Sequence, residues 1–572
     1  MTEQTQVTNS PAASGGGGNR MLIIGGIAAL VVVAIIVVGA IFLIPKLFGG
    51  SNNAIAEVMP PDTSVLVELN AMNLANEDAN RVARAFEDVL DENDVEFDAD
   101  DPASLLEQLD DELDEASGLT ITDDVLPWIG TNMGVGLVEL DIEAIDEGEV
   151  PQLIFATTIR DTALADEFIN DLIDAIEDES GNDVDEDEYS GVIVFEVDSD
   201  FDDERLAFGR SDEIFFVAAN IDTLEAAIDA QQGENLADVA EYQSAIADLP
   251  GDRALTVYIS GESLENASKA AEDSGDFEGF DSDVIEDLGI TGVSMSAMVR
   301  PEGIRLDFVG SYESLTEEQQ AMMDAQTDDI VTPDFLPEST YVYIVGQRID
   351  LAWQSALEAM SNSGLSEDDL DEAMDMFDDM LGFNPSDDLL PLLDGEYSIS
   401  VIDSNDGLIA DQLGADLGAI MMLGSSNGEE LANIAEDLKD GLEDQEFNVD
   451  DSGNDDVTVY EMEDPTGVAV GAYGVSEDYL ILATSPDNIE DLFTVEASLA
   501  DSDKFRNAWA AFPRGTVPVM YLDLEGLLGA LEDVDPEVED VADLNPVYAF
   551  AMGTNSGDNS IQSTMIFFVA GE

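Results

Sequence analysis

Residues 206–228 read LAFGRSDEIFFVAANIDTLEAAI, and residues 468–493 read VAVGAYGVSEDYLILATSPDNIEDLF. Each stretch runs from one apolar segment through a polar turn to a second apolar segment, and then into a helical pattern. The spacing predicts two strands joined by a hairpin and followed by a helix, twice in one chain. An internal repeat is therefore the first feature that the sequence predicts.

Other segments recur in the same order. DDVLPW at residues 123–128 is answered by DDLLPL at residues 387–392, an offset of 264 (387 − 123). The openings PDTSVLV at residues 61–67 and PESTYVY at residues 337–343 also correspond, with an offset of 276 (337 − 61). We predict two repeats, residues 55–312 and 335–572, joined by a helical connector at residues 313–334.

The periodicities within a repeat predict the fold class. Segments such as VLVEL, VIVFEV and LTVYIS are typical of strands, because β-branched and aromatic residues alternate with polar ones. Residues 161–178 have apolar side chains every four positions, at Leu164, Phe168, Leu172 and Ile176, which predicts an amphipathic helix. We predict an α+β fold in which helices cover mostly antiparallel sheets.

Three of these segments resemble a known family. They are the Pro-x-Asp-Thr opening at residues 60–63, the Asp-x-Leu-Pro-Trp-Ile-Gly segment at Asp124–Gly130, and the helix at Ala219–Ala230. Together they resemble the bacterial domain-of-unknown-function family 3352. The resemblance implies an N-terminal membrane span and an extracytoplasmic body, and it assigns no activity. The second repeat departs from the pattern, since Leu392 stands where Trp128 would be expected.

The N-terminal region predicts a membrane anchor. Residues 21–44 carry no charge over 24 positions, which as a helix would span about 36 Å at ~1.5 Å per residue. We predict a flexible cytoplasmic tail (1–20), a transmembrane helix (21–44) and a linker (45–54), with the bulk of the chain outside the cell membrane. The lipid bilayer is thus one predicted partner. A signal peptide cleaved near Ala54-Ile55-Ala56 is the alternative.

The charge of the chain excludes several classes of function. The sequence holds 130 Asp and Glu against 16 Lys and Arg, for a net charge of −114, so it offers no basic face to nucleic acids. It has no Cys and no His, which removes disulfides, thiolate nucleophiles and imidazole bases. The acidic residues are spread over both repeats, as expected of adaptation to high salt. An acidic envelope protein from a low-salt setting is the alternative.

No catalytic residue or cofactor is predicted. Residues 424–428 match G-x-S-x-G, but the elbow serine of a hydrolase needs an imidazole base, so we interpret the segment as a turn and helix cap. We interpret the tryptophans as core anchors and the arginines as ion-paired structural residues. The residues meant are Trp128, Trp353 and Trp509, and Arg205, Arg210, Arg300 and Arg305.

Calcium is the one metal that the residue types suit, because the chain offers oxygen ligands. Asp183, Asp185 and Asp187 begin an EF-hand-like series, but its sixth and twelfth positions are Glu188 and Val194 rather than Gly and Glu. We predict a hydrated acidic loop at residues 181–189 and another at residues 450–456. An irregular calcium site in either loop is the alternative.

Three hypotheses of function remain. The first is a membrane-anchored extracytoplasmic protein with a non-catalytic binding or scaffold body. The second is a surface hydrolase that works with carboxylates or a bound divalent cation. The third is a carrier that holds an apolar ligand between the repeats. The absence of nucleophile and base sets favours a protein that is not an enzyme.

Overall fold

The computed structural model describes most of the predicted body. The described residues are 54–74, 77–86, 110, 111, 113, 114, 118–140, 151–180, 184–198, 205–274, 289–314, 320, 321, 325, 330–351, 353, 383–454, 456–532, 534, 538, 546–557 and 559–570. The predicted tail, span and most of the linker lie outside them, as does much of the predicted connector. Within the described part of the chain, no helix has both the length and the hydropathy that a membrane crossing requires.

In the described part of the chain, twenty strands form one sheet. In chain order they are β1 (Val65–Asn70), β2 (Ile129–Leu137), β3 (Leu153–Ile159), β4 (Asp185–Tyr189), β5 (Val192–Asp198), β6 (Arg205–Arg210), β7 (Ile214–Ala218), β8 (Leu255–Ser260), β9 (Ile290–Arg300), β10 (Gly303–Tyr312), β11 (Thr340–Gln347), β12 (Glu396–Asp403), β13 (Leu417–Gly424), β14 (Asn448–Gly453), β15 (Thr458–Glu463), β16 (Ala469–Val475), β17 (Tyr479–Ala483), β18 (Val517–Asp523), β19 (Val547–Ser556) and β20 (Ser560–Val569). All pairings between these strands are antiparallel.

The described α-helices lie between these strands. They are α1 (Ala71–Leu74), α2 (Glu77–Ala85), α3 (Thr162–Ser180), α4 (Ile221–Gln232), α5 (Ala240–Ile246), α6 (Gly261–Ser274), α7 (Leu408–Leu413), α8 (Gly428–Asp444), α9 (Pro486–Leu492), α10 (Asp503–Ala510) and α11 (Leu524–Leu531). The mixture of helices and antiparallel sheet makes this an α+β fold, as predicted.

The two halves of the sheet have the same strand order. The first half runs β4-β5-β6-β7-β3-β2-β1-β8-β9-β10. The second half runs β14-β15-β16-β17-β13-β12-β11-β18-β19-β20. Each strand therefore has a counterpart at the same place in the other half.

The pairing of β10 with β20 joins the halves. Asp307 is the fifth residue of β10 and Thr564 is the fifth residue of β20, and the two are register partners. Because antiparallel partners at equivalent positions are related by a two-fold rotation, a local two-fold axis passes between Asp307 and Thr564. The sheet thus continues from one half into the other without an edge at the junction.

Helices pack on both faces of the sheet. On the face that we call the inner face, α4 and α5 bury Leu224 and Tyr242 in the first half, and α9 and α10 bury Ile489 and Phe505 in the second. On the opposite face, α3 packs over β6 and β7 at one end of the sheet, and α8 packs over β16 and β17 at the other. The described residues thus form four clusters of buried apolar side chains.

Local signals explain where the helices begin. Asn220 caps α4 by accepting a hydrogen bond from the Thr223 backbone N–H at 2.8 Å, which confirms the predicted helix at 219–230. The predicted amphipathic helix is α3, but its buried face is centred on Ala165 and Ile169, and Leu164 is exposed. A four-residue spacing drifts around a helix of 3.6 residues per turn, so Leu164 leaves the buried stripe.

The prediction of loops at residues 181–189 and 450–456 was wrong in part. Residues 185–189 form β4 and residues 448–453 form β14, the two outermost strands of the sheet. These strands are largely exposed and rich in carboxylates, so their composition suggested loops. The pairing partners β5 and β15 impose the extended backbone, and charge on an edge strand discourages pairing with other chains.

Candidate functional site

Two rows of apolar side chains run outward from the junction on the face opposite the inner face. Neighbours within each row are direct register partners on adjacent strands. The first row is Phe308, Met295, Val257, Val67 and Val135, on β10, β9, β8, β1 and β2. The second row is Met565, Met552, Met520, Ile344 and Ile399, on β20, β19, β18, β11 and β12. We call these ten residues the apolar rows.

None of these ten side chains is buried. Val67 and Ile399 have 40% and 39% of their surface exposed, and the other eight are half-buried. The rows contain no polar or charged side chain, although 26% of the chain is charged. At ~4.8 Å between neighbouring strands, ten strands span roughly 43 Å. The helices α1, α2, α6 and α11 also contact strands that carry the rows.

The usual direction of burial is reversed along β12. Ser398 and Ser400 are completely buried on the inner face, whereas Ile399 between them is exposed. The same reversal occurs in β9, where Ser294 and Ser296 are buried and Met295 is half-buried. A half-buried strand normally turns its apolar side chains inward and its polar ones to water. At these positions β9 and β12 therefore bury serines and turn Met295 and Ile399 away from the inner core.

Helices cover the outer ends of this face. The next residue beyond Val135 is Phe155, which packs on the core that includes α3. The next residue beyond Ile399 is Met421, which packs on the core that includes α8. Four of the ten row residues are methionines, whose flexible side chains adapt to ligands of irregular shape.

In each half, a buried carboxylate on the inner face accepts hydrogen bonds from the backbone of the turn that precedes the first strand. Glu68 Oε1 accepts hydrogen bonds from the Ile55 backbone N–H at 3.3 Å and from Asn132 Nδ2 at 3.4 Å. Burial raises the pKa of Glu68 to about 7. In the second half, Glu396 accepts from the backbone N–H groups of Val331 and Thr332, each at 2.9 Å. These carboxylates anchor backbone, which is a structural role.

The residues considered for calcium are only partly described. Asp183 lies outside the described residues. Asp185 and Asp187 point to the same side of the exposed edge strand β4. Asp185 forms an ion pair with Arg205 at 2.5 Å. Among the described residues, no group of three or more acidic side chains could hold a metal ion.

The G-x-S-x-G segment is a turn and helix cap, as predicted. Gly424 ends β13 and Gly428 begins α8, whose N-cap Asn427 accepts from the Glu430 backbone N–H. Ser426 donates to Asp394 Oδ2 at 2.7 Å, and the chain has no histidine that could act as the imidazole base of a hydrolase. The segment thus organises the start of α8.

The arginines and two of the tryptophans match their predicted roles. Arg210, Arg300 and Arg305 form ion pairs with Asp166, Asp252 and Asp307, as Arg205 does with Asp185. Trp128 is buried against Phe168 and Phe215, with ring centroids at 5.0 and 5.4 Å. Trp509 packs on the core of the second half.

Sequence reasoning did not find the apolar rows. Every row residue lies in a strand whose alternation looked like that of an ordinary core strand. The sequence neighbours of those residues held a clue. In β9 and β12, apolar residues alternate with serines, which are small enough to be buried. Only the positions of the packed helices show which side of each strand is covered.

No curated protein matches the chain. Two solved structures, of crystal forms I and IV of TP0453, are similar with TM-scores of 0.23 and 0.22 and identities of 7% and 6%. The alignments cover 47% and 45% of this chain, and 80% and 79% of those chains.

A family model described as "Protein of unknown function (DUF3352)" matches residues 24–569. The match spans both halves of the sheet and the junction between them. It therefore accounts for nearly the whole chain. The chain belongs to the DUF3352 family of proteins of unknown function.

Proposed function

We propose that this protein is a membrane-anchored extracytoplasmic binding protein without catalytic activity, and that it holds hydrocarbon chains on its apolar rows. The observation that carries the proposal is the reversal of burial, by which Ile399 is exposed while Ser398 and Ser400 are buried. Large apolar side chains kept at a surface cost stability unless a partner covers them. The proposal joins the binding and carrier hypotheses.

Charge identifies the kind of ligand. Residues 47–572 carry a net charge of −115, because the preceding residues contribute Glu3, Arg20 and Lys46. A second copy would bring a body of the same charge face to face with the first, which is repulsive. A neutral hydrocarbon chain meets no such repulsion and matches rows that lack polar groups.

The predicted anchor places such ligands within reach. The linker at residues 45–54 spans at most about 36 Å when fully extended. The family match begins at residue 24 and so includes most of the apolar segment at residues 21–44. Acyl chains of the bilayer are then the nearest hydrocarbon to the apolar rows.

The matching strand order of the halves supports a duplicated body, with the two rows as counterparts. Spread-out acidity supports adaptation to high salt, because screening relieves the self-repulsion of so many carboxylates. The hydrolase hypothesis remains, with no observation in the described residues that favours it.

Photocrosslinking would test the proposal. The full chain is placed in phosphatidylcholine nanodiscs that contain a phospholipid with a diazirine near the end of one acyl chain. We expect crosslinks in peptides from β9, β10, β19 and β20 as well as in residues 21–44. Ile399→Glu should lower crosslinking of β12 and its neighbour β11 about tenfold, because a charge in the row opposes hydrocarbon.

Ile193→Glu is the matched control. Ile193 is an exposed isoleucine of β5, outside the apolar rows. This variant should crosslink as the unmodified protein does. Crosslinks confined to residues 21–44 would show that the rows take no hydrocarbon and would end the proposal.

A further inference from the structure

A cavity of about 370 Å³ opens in the second half, next to the turn between β16 and β17. Aromatic rings and carboxylates line it together. The rings belong to Phe335, Tyr479 and Phe493, and the carboxylates to Asp456, Glu477 and Asp478. The volume suits a small organic molecule rather than a single ion.

The three rings form a continuous cluster. Phe335 stands between the other two, with its centroid 5.9 Å from that of Tyr479 and 5.9 Å from that of Phe493. The rings are inclined by 65° and 58° to Phe335, so they do not stack flat against each other. The face of an aromatic ring is electron-rich and its edge electron-poor.

At the equivalent place the first half has aliphatic side chains. The counterparts of Phe335, Tyr479 and Phe493 are Met59, Ile214 and Ile228, read from the turn before the first strand, the start of β7 and the end of α4. These aliphatic side chains are buried within one core. The second half thus replaces three aliphatic residues with aromatic ones, and its Phe335 and Phe493 are only half-buried.

Aromatic faces and carboxylates together attract cations that are poorly hydrated. A quaternary ammonium group spreads its charge over methyl groups, so it can contact ring faces without losing strong bonds to water. Inorganic cations prefer a shell of oxygen ligands and gain less from ring faces. We propose that this cavity binds a small organic cation of the quaternary ammonium class.

The proposal is independent of the apolar rows, which are on other strands and lack charge. The same cation can come from two sources, a free quaternary ammonium compound or the choline headgroup of a lipid. Both present a trimethylammonium group to the cavity. The test separates them.

Choline is the probe, and the protein is the full chain in phosphatidylglycerol nanodiscs, which hold no choline group. Saturation-transfer NMR in 1 M KCl detects binding while the salt screens non-specific attraction to the polyanion. We expect choline to bind and 3,3-dimethylbutan-1-ol, its neutral isostere, not to bind. Equal signals from both compounds would overturn the proposal without the need for any variant.

Variants then locate the site. Phe335→Leu and Phe493→Leu restore aliphatic side chains like those of the first half, and each should weaken choline binding about tenfold. Phe550→Leu is the matched control, since Phe550 lies on β19 outside the cavity, and it should bind as the unmodified protein does. Unchanged binding in the first two variants would also contradict the proposal.

The choice of nanodisc identifies the source. If the natural ligand is a lipid headgroup, phosphatidylcholine nanodiscs should lower the apparent affinity for free choline, because headgroups compete. If it is a free compound, the two kinds of nanodisc should give the same affinity.

Discussion

Thr564 donates a hydrogen bond from Oγ1 to Asp307 Oδ1 at 2.6 Å, across the strand pair that joins the two halves of the sheet. The two residues occupy equivalent positions in their strands. Both are buried, since 0% of the surface of Asp307 and 1% of that of Thr564 is exposed. Arg305 and Gln562 are also counterparts, and both donate to the same carboxylate oxygen. A single carboxylate therefore serves the junction, where two facing carboxylates would repel each other.

This relationship predicts that the two residues can be exchanged. Asp307→Thr should lower the free energy of unfolding by about 3–5 kcal/mol, because it leaves the largely buried Arg305 without its carboxylate. Thr564→Asp should also destabilise the fold by opposing two buried carboxylates. The double variant D307T/T564D should recover most of the loss, since the two-fold axis exchanges Arg305 with Gln562 around the moved carboxylate. Urea unfolding of the four proteins at one salt concentration measures this.

The informative quantity is the coupling free energy, which is the difference between the effect of the double variant and the sum of the effects of the two single variants. If the double variant is as unstable as the sum of the single variants, the junction does not use the carboxylate symmetrically and the argument is wrong.

Glu68 predicts a pH dependence of stability. Burial raises its pKa from 4.5 to about 7, so between these values the folded state retains a proton that the unfolded state has lost. The free energy of unfolding therefore falls as the pH rises through this window, by about 3 kcal/mol in all. Glu68→Gln removes that dependence, and its stability relative to the unmodified protein should increase from pH 4.5 to pH 8.

The comparison of two proteins at each pH cancels the titration of the other carboxylates. Asp187→Asn, at an exposed position of β4, serves as the control and should track the unmodified protein. A difference between Glu68→Gln and the unmodified protein that stays constant with pH would disagree with this prediction.

Much of the local structure could be predicted because its causes are local. The helix after Asn220 has its cap and its apolar spacing within twelve residues, and the turn between β9 and β10 contains Pro301 and Gly303, residue types that are typical of turns. The matching strand order of the two halves was suggested by segments that recur in the same order along the chain.

The junction and the apolar rows could not be predicted, for a different reason. Asp307 and Thr564 are 257 residues apart, and nothing in the pattern of either strand specifies its partner. Alternation specifies two faces but not which of them is covered. For Ile399 and its serine neighbours, the usual assumption gave the opposite of the observed burial. Departures from such rules concentrate at functional surfaces.

Trp128 predicts the cost of removing a core anchor. It is buried, it contacts two phenylalanine rings, and its Nε1 donates to the Asp124 carbonyl at 2.8 Å. Trp128→Ala should lower the free energy of unfolding by about 3–5 kcal/mol through the cavity that it leaves. Trp128→Phe keeps most of the volume and should cost less than half as much. Urea unfolding followed by circular dichroism compares them, and equal costs would mean that packing is not what Trp128 supplies.

The acidity of the chain predicts its response to salt and to calcium. Raising NaCl from 0.1 to 1 M shortens the screening length from about 10 Å to about 3 Å, which weakens repulsion among the carboxylates. The midpoint of thermal unfolding of the full chain should therefore rise steadily through this series. Calcium added at constant ionic strength should have no further effect, since Asp185 is paired with Arg205.

Asp185→Asn separates screening from specific binding, because it removes one carboxylate from the predicted calcium series without changing the other acidic residues. Its midpoint should rise with NaCl in parallel with that of the unmodified protein. If micromolar calcium raised the midpoint of the unmodified protein but not that of Asp185→Asn, a specific cation site on the edge strand would exist. The calcium site would then replace the hydrated acidic segment as the interpretation of these residues. A metal-dependent activity at this site would be the next thing to test.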